Sequence, residues 1–202
     1  MAASTCFPID QQARWMVAFQ AGDLASFGLL VEQNRDMVVG YLYRYVGDRA
    51  IAEELAQEVF LRVFRSRNYR PTAKFRTWLF RIATNLAINW RRDRRVDSEM
   101  VRLDAPHATR RHELREPTLS VEEKMIYRCR LEEVRSAVGE LPARYRAAVL
   151  MHKYLEMEYQ EIAGVLGCSV PALKSLLFRA YEILRERLAH LDAGAGCARN
   201  VR

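Results

Sequence analysis

Apolar and polar positions along this chain repeat with the 3.6-residue period of helices, and no stretch alternates as a strand would. A helix is expected from Gln11, with Trp15, Val17, Ala18 and Phe19 as its apolar surface. Gly22-Asp23 breaks it, and Asp23 serves as N-cap for a second helix over Leu24–Asn34, where Phe27, Leu30 and Val31 share a face. A third runs over Asp36–Val46, with Met37, Tyr41 and Tyr45 four apart and Val38, Leu42 and Val46 alongside. Gly47-Asp48 ends it as a C-terminal glycine followed by a cap. The next helix, Arg49–Ser66, carries Ile51, Leu55, Val59 and Val63, with Phe60 and Phe64 on an adjacent row. It is acidic early and basic late, which complements its dipole. The short loop Asn68–Thr72, with Pro71 disfavouring helix before it, leads into Lys74–Arg95.

That stretch has two faces. Trp78, Ile82, Leu86 and Trp90 recur every four residues, with Leu79 and Ala83 beside them, and form an apolar stripe that must pack. Arg81, Asn85, Asn89 and Arg92 recur on the opposite side. Lys74, Arg76, Arg81, Arg91, Arg92, Arg94 and Arg95 oppose a single Asp93, so the polar face suits a polyanion as well as an ordinary solvated surface.

From Asp97 to about Ser120 no period persists, Pro106 and Pro117 punctuate the chain and charges mix; a flexible linker is expected. Helical pattern resumes near Val121 with a stripe of Met125, Cys129, Leu131, Val134, Ala137 and Val138. Gly139-Glu140-Leu141-Pro142 stops it, and Pro142 opens a helix over Ala143–Tyr154 with Tyr145, Val149, Leu150 and Tyr154 as contacts. A short helix, Tyr159–Leu166, a turn at Gly167-Cys168-Ser169 and a longer helix over Val170–Leu188 make a helix-turn-helix pattern. Ala163 is small where two helices cross, and Gly167 accepts a turn that a side chain would resist. Ser169, Ala172, Lys174, Ser175, Phe178 and Arg179 lie on the face that would enter a DNA groove.

The fold class expected is therefore all-α, with two small helical domains joined by a flexible linker. Their bounds are 11–96 and 121–190, with the linker at 97–120 and a tail at 191–202. The 202 residues suffice for two small cores. The net charge of +7 favours nucleic acid or an acidic partner. Cys6, Cys129, Cys168 and Cys197 form no CxxC pair, and no His sits at zinc-ligand spacing from them, so neither a metal nor another cofactor is expected. Scattered cysteines, an amino terminus without an apolar run and the lack of any run of about 18 apolar residues point to a soluble, cytoplasmic protein without membrane insertion. His107, His112, His152 and His190 are dispersed, and no nucleophile triad or phosphate loop accompanies them, so an enzyme is not expected.

Two all-α units, one with a basic-aromatic helix and one with a helix-turn-helix, resemble the bacterial sigma-70 family, in particular its two-domain extracytoplasmic-function group. The motifs are Ala52-Glu53-Glu54-Leu55-Ala56-Gln57-Glu58-Val59-Phe60, similar to region 2.2, and Phe75-Arg76-Thr77-Trp78-Leu79-Phe80-Arg81-Ile82-Ala83-Thr84-Asn85, similar to regions 2.3 and 2.4. Leu141-Pro142 with Arg144-Tyr145-Arg146, and Tyr159-Gln160-Glu161-Ile162-Ala163 through Arg179-Ala180, are similar to region 4. The resemblance implies a sigma factor that binds core RNA polymerase through its β′ and β subunits, with Glu54, Gln57, Glu58 and Leu61 docking on β′. It implies that Arg76, Trp78, Arg81, Asn85, Asn89, Arg91 and Arg92 melt and hold the minus-ten element, with Trp78 shared between core and melting, Trp90 in the core, and the loop Asn68–Lys74 capturing a flipped base. The second helix of region 4 would read the minus-thirty-five element in promoter DNA with the six residues from Ser169 to Arg179 named above. Leu176 and Tyr181 stand where the family often has basic residues, and Thr84 and Asn89 replace commoner Arg and Asp. An anti-sigma factor is expected as an inhibitory partner. The alternative is a stand-alone helix-turn-helix regulator that binds duplex DNA without polymerase.

Overall fold

The computed structural model describes residues 10–100 and 121–196. Eight helices, and no strand, occupy them: α1 (Gln11–Gln20), α2 (Leu24–Val46), α3 (Arg49–Arg65), α4 (Phe75–Met100), α5 (Val121–Glu140), α6 (Ala143–Lys153), α7 (Tyr159–Leu166) and α8 (Val170–Gly196). Most of the expected linker, 101–120, lies outside the described residues. Its first four positions belong to α4, and α8 runs on into the segment read as a tail.

Local signals set most boundaries. Asp10, Asp23 and Asp48 each accept a backbone N–H from the helix they precede. Gly47 (φ 85°) and Gly167 (φ 61°) end α2 and α7 in the left-handed conformation that favours glycine. Asp10 serves two helices: Oδ1 accepts from Ala13 N at 2.6 Å, and Oδ2 accepts from Phe75 N, at the start of α4, at 2.9 Å.

Four expectations need correction. The two helices read over Leu24–Asn34 and Asp36–Val46 are one, α2, of 23 residues. The polar run Asn34-Arg35-Asp36 does not interrupt it, because Asn34 is buried and its Nδ2 donates to Leu30 O, one turn back, at 2.8 Å. In α4 the buried apolar positions are Phe75, Leu79, Phe80, Ala83, Leu86 and Ala87, whereas Trp78, Ile82 and Trp90 are only partly covered. The packing face is thus rotated from the Trp78-Ile82 line. In α5 the apolar stripe is largely unburied: Met125 is 67% exposed, Cys129 is exposed and Val134 is half-exposed, while Ala137 is buried. In α1 the fully buried residues are Ala13 and Met16, and Val17 faces out.

α1–α4 form one bundle around Tyr41, Tyr45, Leu42, Val59 and Phe80. α5–α8 form a second around Leu141, Met151, Ile162 and Leu173. The bundles pack directly on each other, α4 against α7 and α2 against α6. Arg146, 3% exposed, crosses between them: Nη1 donates to Tyr45 O at 2.9 Å, Nε to Val138 O at 3.0 Å, and Tyr45 Oη donates back to Ala143 O at 3.1 Å. Burying a guanidinium is costly unless it is bonded, and here carbonyls near the ends of α2 and α5 supply the acceptors.

Candidate nucleic-acid and polymerase interface

Three surfaces carry the residues singled out by sequence, each on a different helix. The first is on α3. Glu54, Gln57 and Leu61 are exposed, and Glu58 is half-buried with Oε1 2.8 Å from Arg62 Nε. Beside this row lies an open apolar groove of about 570 Å³, lined by Phe27, Val31, Val39, Phe60, Leu61 and Phe64 between α2 and α3. Phe19, Phe27 and Phe64 close one end, with ring centroids 5.0–5.3 Å apart. Phe64 nonetheless remains 47% exposed. The periodicity of α3 places these aromatics on an adjacent row but does not reveal the groove, which needs α2 as its other wall.

The second surface is on α4. Arg81, Asn85, Asn89 and Arg92 are all exposed along one side, as their spacing requires. Arg76 and Arg91 are different: both are partly buried and bonded to the second bundle. Arg76 Nη2 donates to Leu155 O at 2.6 Å, and Arg91 Nη2 donates to Gly139 O at 2.7 Å. Trp78 is half-buried against Tyr69 (ring centroids 4.8 Å) and Phe75 (5.7 Å), so it belongs in part to an aromatic cluster that pins the loop before α4. Burial, with Asp10 nearby, pushes the Tyr69 hydroxyl up to about 12. Trp90 is also half-buried, and the Arg94 guanidinium lies 5.2 Å over its ring. Thr84, 1% exposed, shares a 2.8 Å hydrogen bond with Tyr41 Oη, so it is a core residue and does not reach the surface. Lys74 pairs with Glu161 Oε1 at 2.8 Å, and that carboxylate holds the ammonium above its ordinary pKa.

The third surface is on α8. Ser169, Ala172, Lys174, Ser175, Phe178 and Arg179 are all exposed on one face, and Phe178 is 67% exposed. Glu158 and Glu161 form a capping box that starts α7, with Glu158 N donating to Glu161 Oε2 at 3.1 Å. Gly167 turns the chain, and Leu173, Leu177 and Ala180 anchor α8 on α6 and α7. Leu176 is packed against the core, and Tyr181 Oη lies 2.8 Å from His152 Nδ1. The two positions without a basic residue therefore serve the inner side of the helix. Among the described residues, no group of His, Cys, Asp and Glu is placed to hold a metal ion. No single helix there is long and apolar enough to cross a membrane.

Comparison with known proteins agrees with this architecture. Residues 30–96 match the model for sigma-70 region 2, and residues 131–184 match that for sigma-70 region 4. The chain belongs to the sigma-70 family of RNA polymerase sigma factors, in its extracytoplasmic-function group. It is 32% identical to the RNA polymerase sigma-H factor of Pseudomonas aeruginosa, over 90% of this chain and 96% of that one. It is 31% identical to the ECF RNA polymerase sigma-E factor of Haemophilus influenzae, over 85% and 92%. Among solved structures, CnrH in complex with the cytosolic domain of CnrY shares the fold, with a TM-score of 0.64 and 24% identity over 91% of this chain and 99% of that one.

Proposed function

We propose that this sigma factor binds core RNA polymerase through the α3 row, holds the melted minus-ten strand on the polar face of α4 and reads the minus-thirty-five duplex with α8. The observation that carries the reading is the exposure of all three rows on separate helices of one chain. A polymerase-independent repressor needs a duplex-reading helix, but it has no use for an exposed acidic-amide row beside an apolar groove. The groove and the row fit an amphipathic helical partner, and Glu54, Gln57, Glu58 and Leu61 are the residues assigned to β′. For the strand, Arg81, Asn85, Asn89 and Arg92 provide a basic-amide track and Trp78 an aromatic edge, the components that single-stranded DNA requires. Arg76 and Arg91 extend that track once they leave the second bundle. For the duplex, Lys174 and Arg179 supply charge, Ser169 and Ser175 hydroxyls, and Ala172 and Phe178 apolar contact with base methyls.

Region boundaries of 11–96 and 121–190, a connecting linker and a cytoplasmic setting belong to the same reading. So does an anti-sigma factor as the inhibitory partner, because the groove between α2 and α3 leaves Leu61 and Phe64 open to water. The sigma factor RpoE of Bartonella quintana, whose structure shares this fold with a TM-score of 0.65, is solved in complex with the anti-sigma factor NepR.

The test is reconstitution. Purified protein with core enzyme is expected to give promoter-specific transcripts from a genomic fragment library, and neither component alone should do so. The Gln57→Ala/Glu58→Ala double variant should lose affinity for core several-fold while its duplex binding is unchanged. A duplex footprint by the protein alone, with no core-dependent transcript from any fragment, would establish the stand-alone regulator instead.

A further inference from the structure

The exposed row on α4 does not end at Arg81. Arg92, Asn89, Asn85 and Arg81 follow one another at steps of three or four residues, and one further step of three reaches Trp78. Trp78 is half-buried because the Tyr69 ring packs against it, with centroids 4.8 Å apart. Tyr69 is itself buried and lies 5.9 Å from the Phe75 ring, so the chain before α4 is pinned to the helix at that point. Arg70 is exposed immediately after Tyr69, and Arg67 is exposed just before it. The other side of this segment is held as well, since Gln20 Nε2 donates to Ser66 O at 3.3 Å. Two exposed guanidinium groups are thus carried on backbone anchored at both ends, at the corner where α3 gives way to α4.

Nothing inside the molecule accounts for these two charges. The chain has no acidic residue between Glu58 and Asp93. Among the described residues, no carboxylate lies within ion-pair distance of Arg67 or Arg70. Arg62 and Arg65 differ: they occupy the last turn of α3, where they complement its dipole, and Arg62 is also paired with Glu58. Arg67 and Arg70 lie beyond that helix end. The α4 row, for its part, is short. From Arg81 to Arg92 it spans about 16 Å at 1.5 Å per residue, the length of about five stacked nucleotides. A longer strand has to leave the helix, and past Trp78 it meets Arg70 and Arg67.

We propose that Arg67 and Arg70 form a second phosphate site for the same single strand, which turns the corner from α4 past Trp78 and Tyr69 toward the end of α3. This rests on the strand-holding role assigned to α4 above. Guanidinium groups bind phosphate oxygens whatever the base, so the corner adds affinity and footprint length but no sequence preference. Anchoring at Ser66 and Tyr69 means that little backbone freedom is lost when the strand binds.

The test uses the full-length protein and fluorescein-labelled single strands of mixed sequence, about five and about ten nucleotides long, read by anisotropy over a range of salt. The unaltered chain should bind the longer strand several-fold more tightly and with the steeper salt dependence. Arg67→Gln/Arg70→Gln should remove most of that gain and change binding of the shorter strand little. Its salt slope on the longer strand should flatten by about 1.4, for two phosphates at about 0.7 each. Both side chains are exposed, so thermal unfolding should not move, which separates a lost contact from a lost fold. An unchanged slope on the longer strand overturns the proposal, as does an equal loss on both strands. Unchanged strand binding with weakened affinity for core polymerase also overturns it, and gives the corner to an acidic protein surface instead. Arg81→Gln/Arg92→Gln tests the α4 reading separately and should weaken both strands. If only that variant has an effect, α4 holds the strand and the corner does not. If only Arg67→Gln/Arg70→Gln has an effect, the corner binds strand and the role given to α4 fails.

Discussion

At the scale of single residues, Thr84 shows how a motif position can belong to the core. By alignment with the family motif it falls where a polar surface residue is expected, yet its hydroxyl is bonded to the Tyr41 phenol inside the first bundle. Thr84→Val keeps the shape and leaves that phenol buried without a partner. The expected cost is about 1–3 kcal/mol in urea unfolding, with no selective loss of DNA binding at equal folded fraction. Periodicity could not reveal this, because Thr84 is one residue from both the buried line of Ala83 and the exposed line of Asn85. For Trp78, half-burial against Tyr69 and Phe75 accounts for the core share that its place in the apolar stripe suggests.

At the scale of elements, capping chemistry was the most legible feature. Asp23, Asp48, Gly47 and Gly167 stand where the sequence put helix starts and stops, and α7 spans the residues its pattern predicts. The failures are equally local. A polar triplet looked like a break in α2 because periodicity does not register a buried Asn bonded within its own helix. The α5 stripe looked like core because periodicity identifies a face without saying whether anything covers it. The helix-turn-helix yields a paired prediction. Gly167→Val forces a branched residue to φ near 61° and should cost about 1–2 kcal/mol in thermal unfolding. Phe178→Ala, at an exposed position, should change stability by less than about 0.5 kcal/mol. It should nonetheless weaken binding to a promoter duplex. A stability loss at Phe178 equal to that at Gly167 would mean that its ring packs inward.

At the scale of the whole molecule, the all-α, two-unit architecture was readable, but its closure was not. The bonds that join the bundles link residues 48, 79 and 101 positions apart, beyond the reach of any local pattern. Arg76 and Arg91 look in sequence like further members of a basic face, and only the tertiary contact shows them engaged. Electrostatics at this scale gives a further expectation. With a net charge of +7 and basic residues on both α4 and α8, strand and duplex binding should each fall steeply as salt rises. Logarithmic plots of affinity against salt should have negative slopes for both ligands. A flat strand slope would mean that stacking, and not phosphate neutralisation, holds the strand.

The carboxylate of Asp10 gives the first helix a purpose beyond covering the bundle. It bonds the opening turns of α1 and α4 at once, across 65 residues of intervening chain. Neither helix can fray at its start without releasing an acceptor shared with the other, so the two ends melt as one cooperative unit. The platform that would meet the open promoter is thereby as rigid as a helix that never touches DNA.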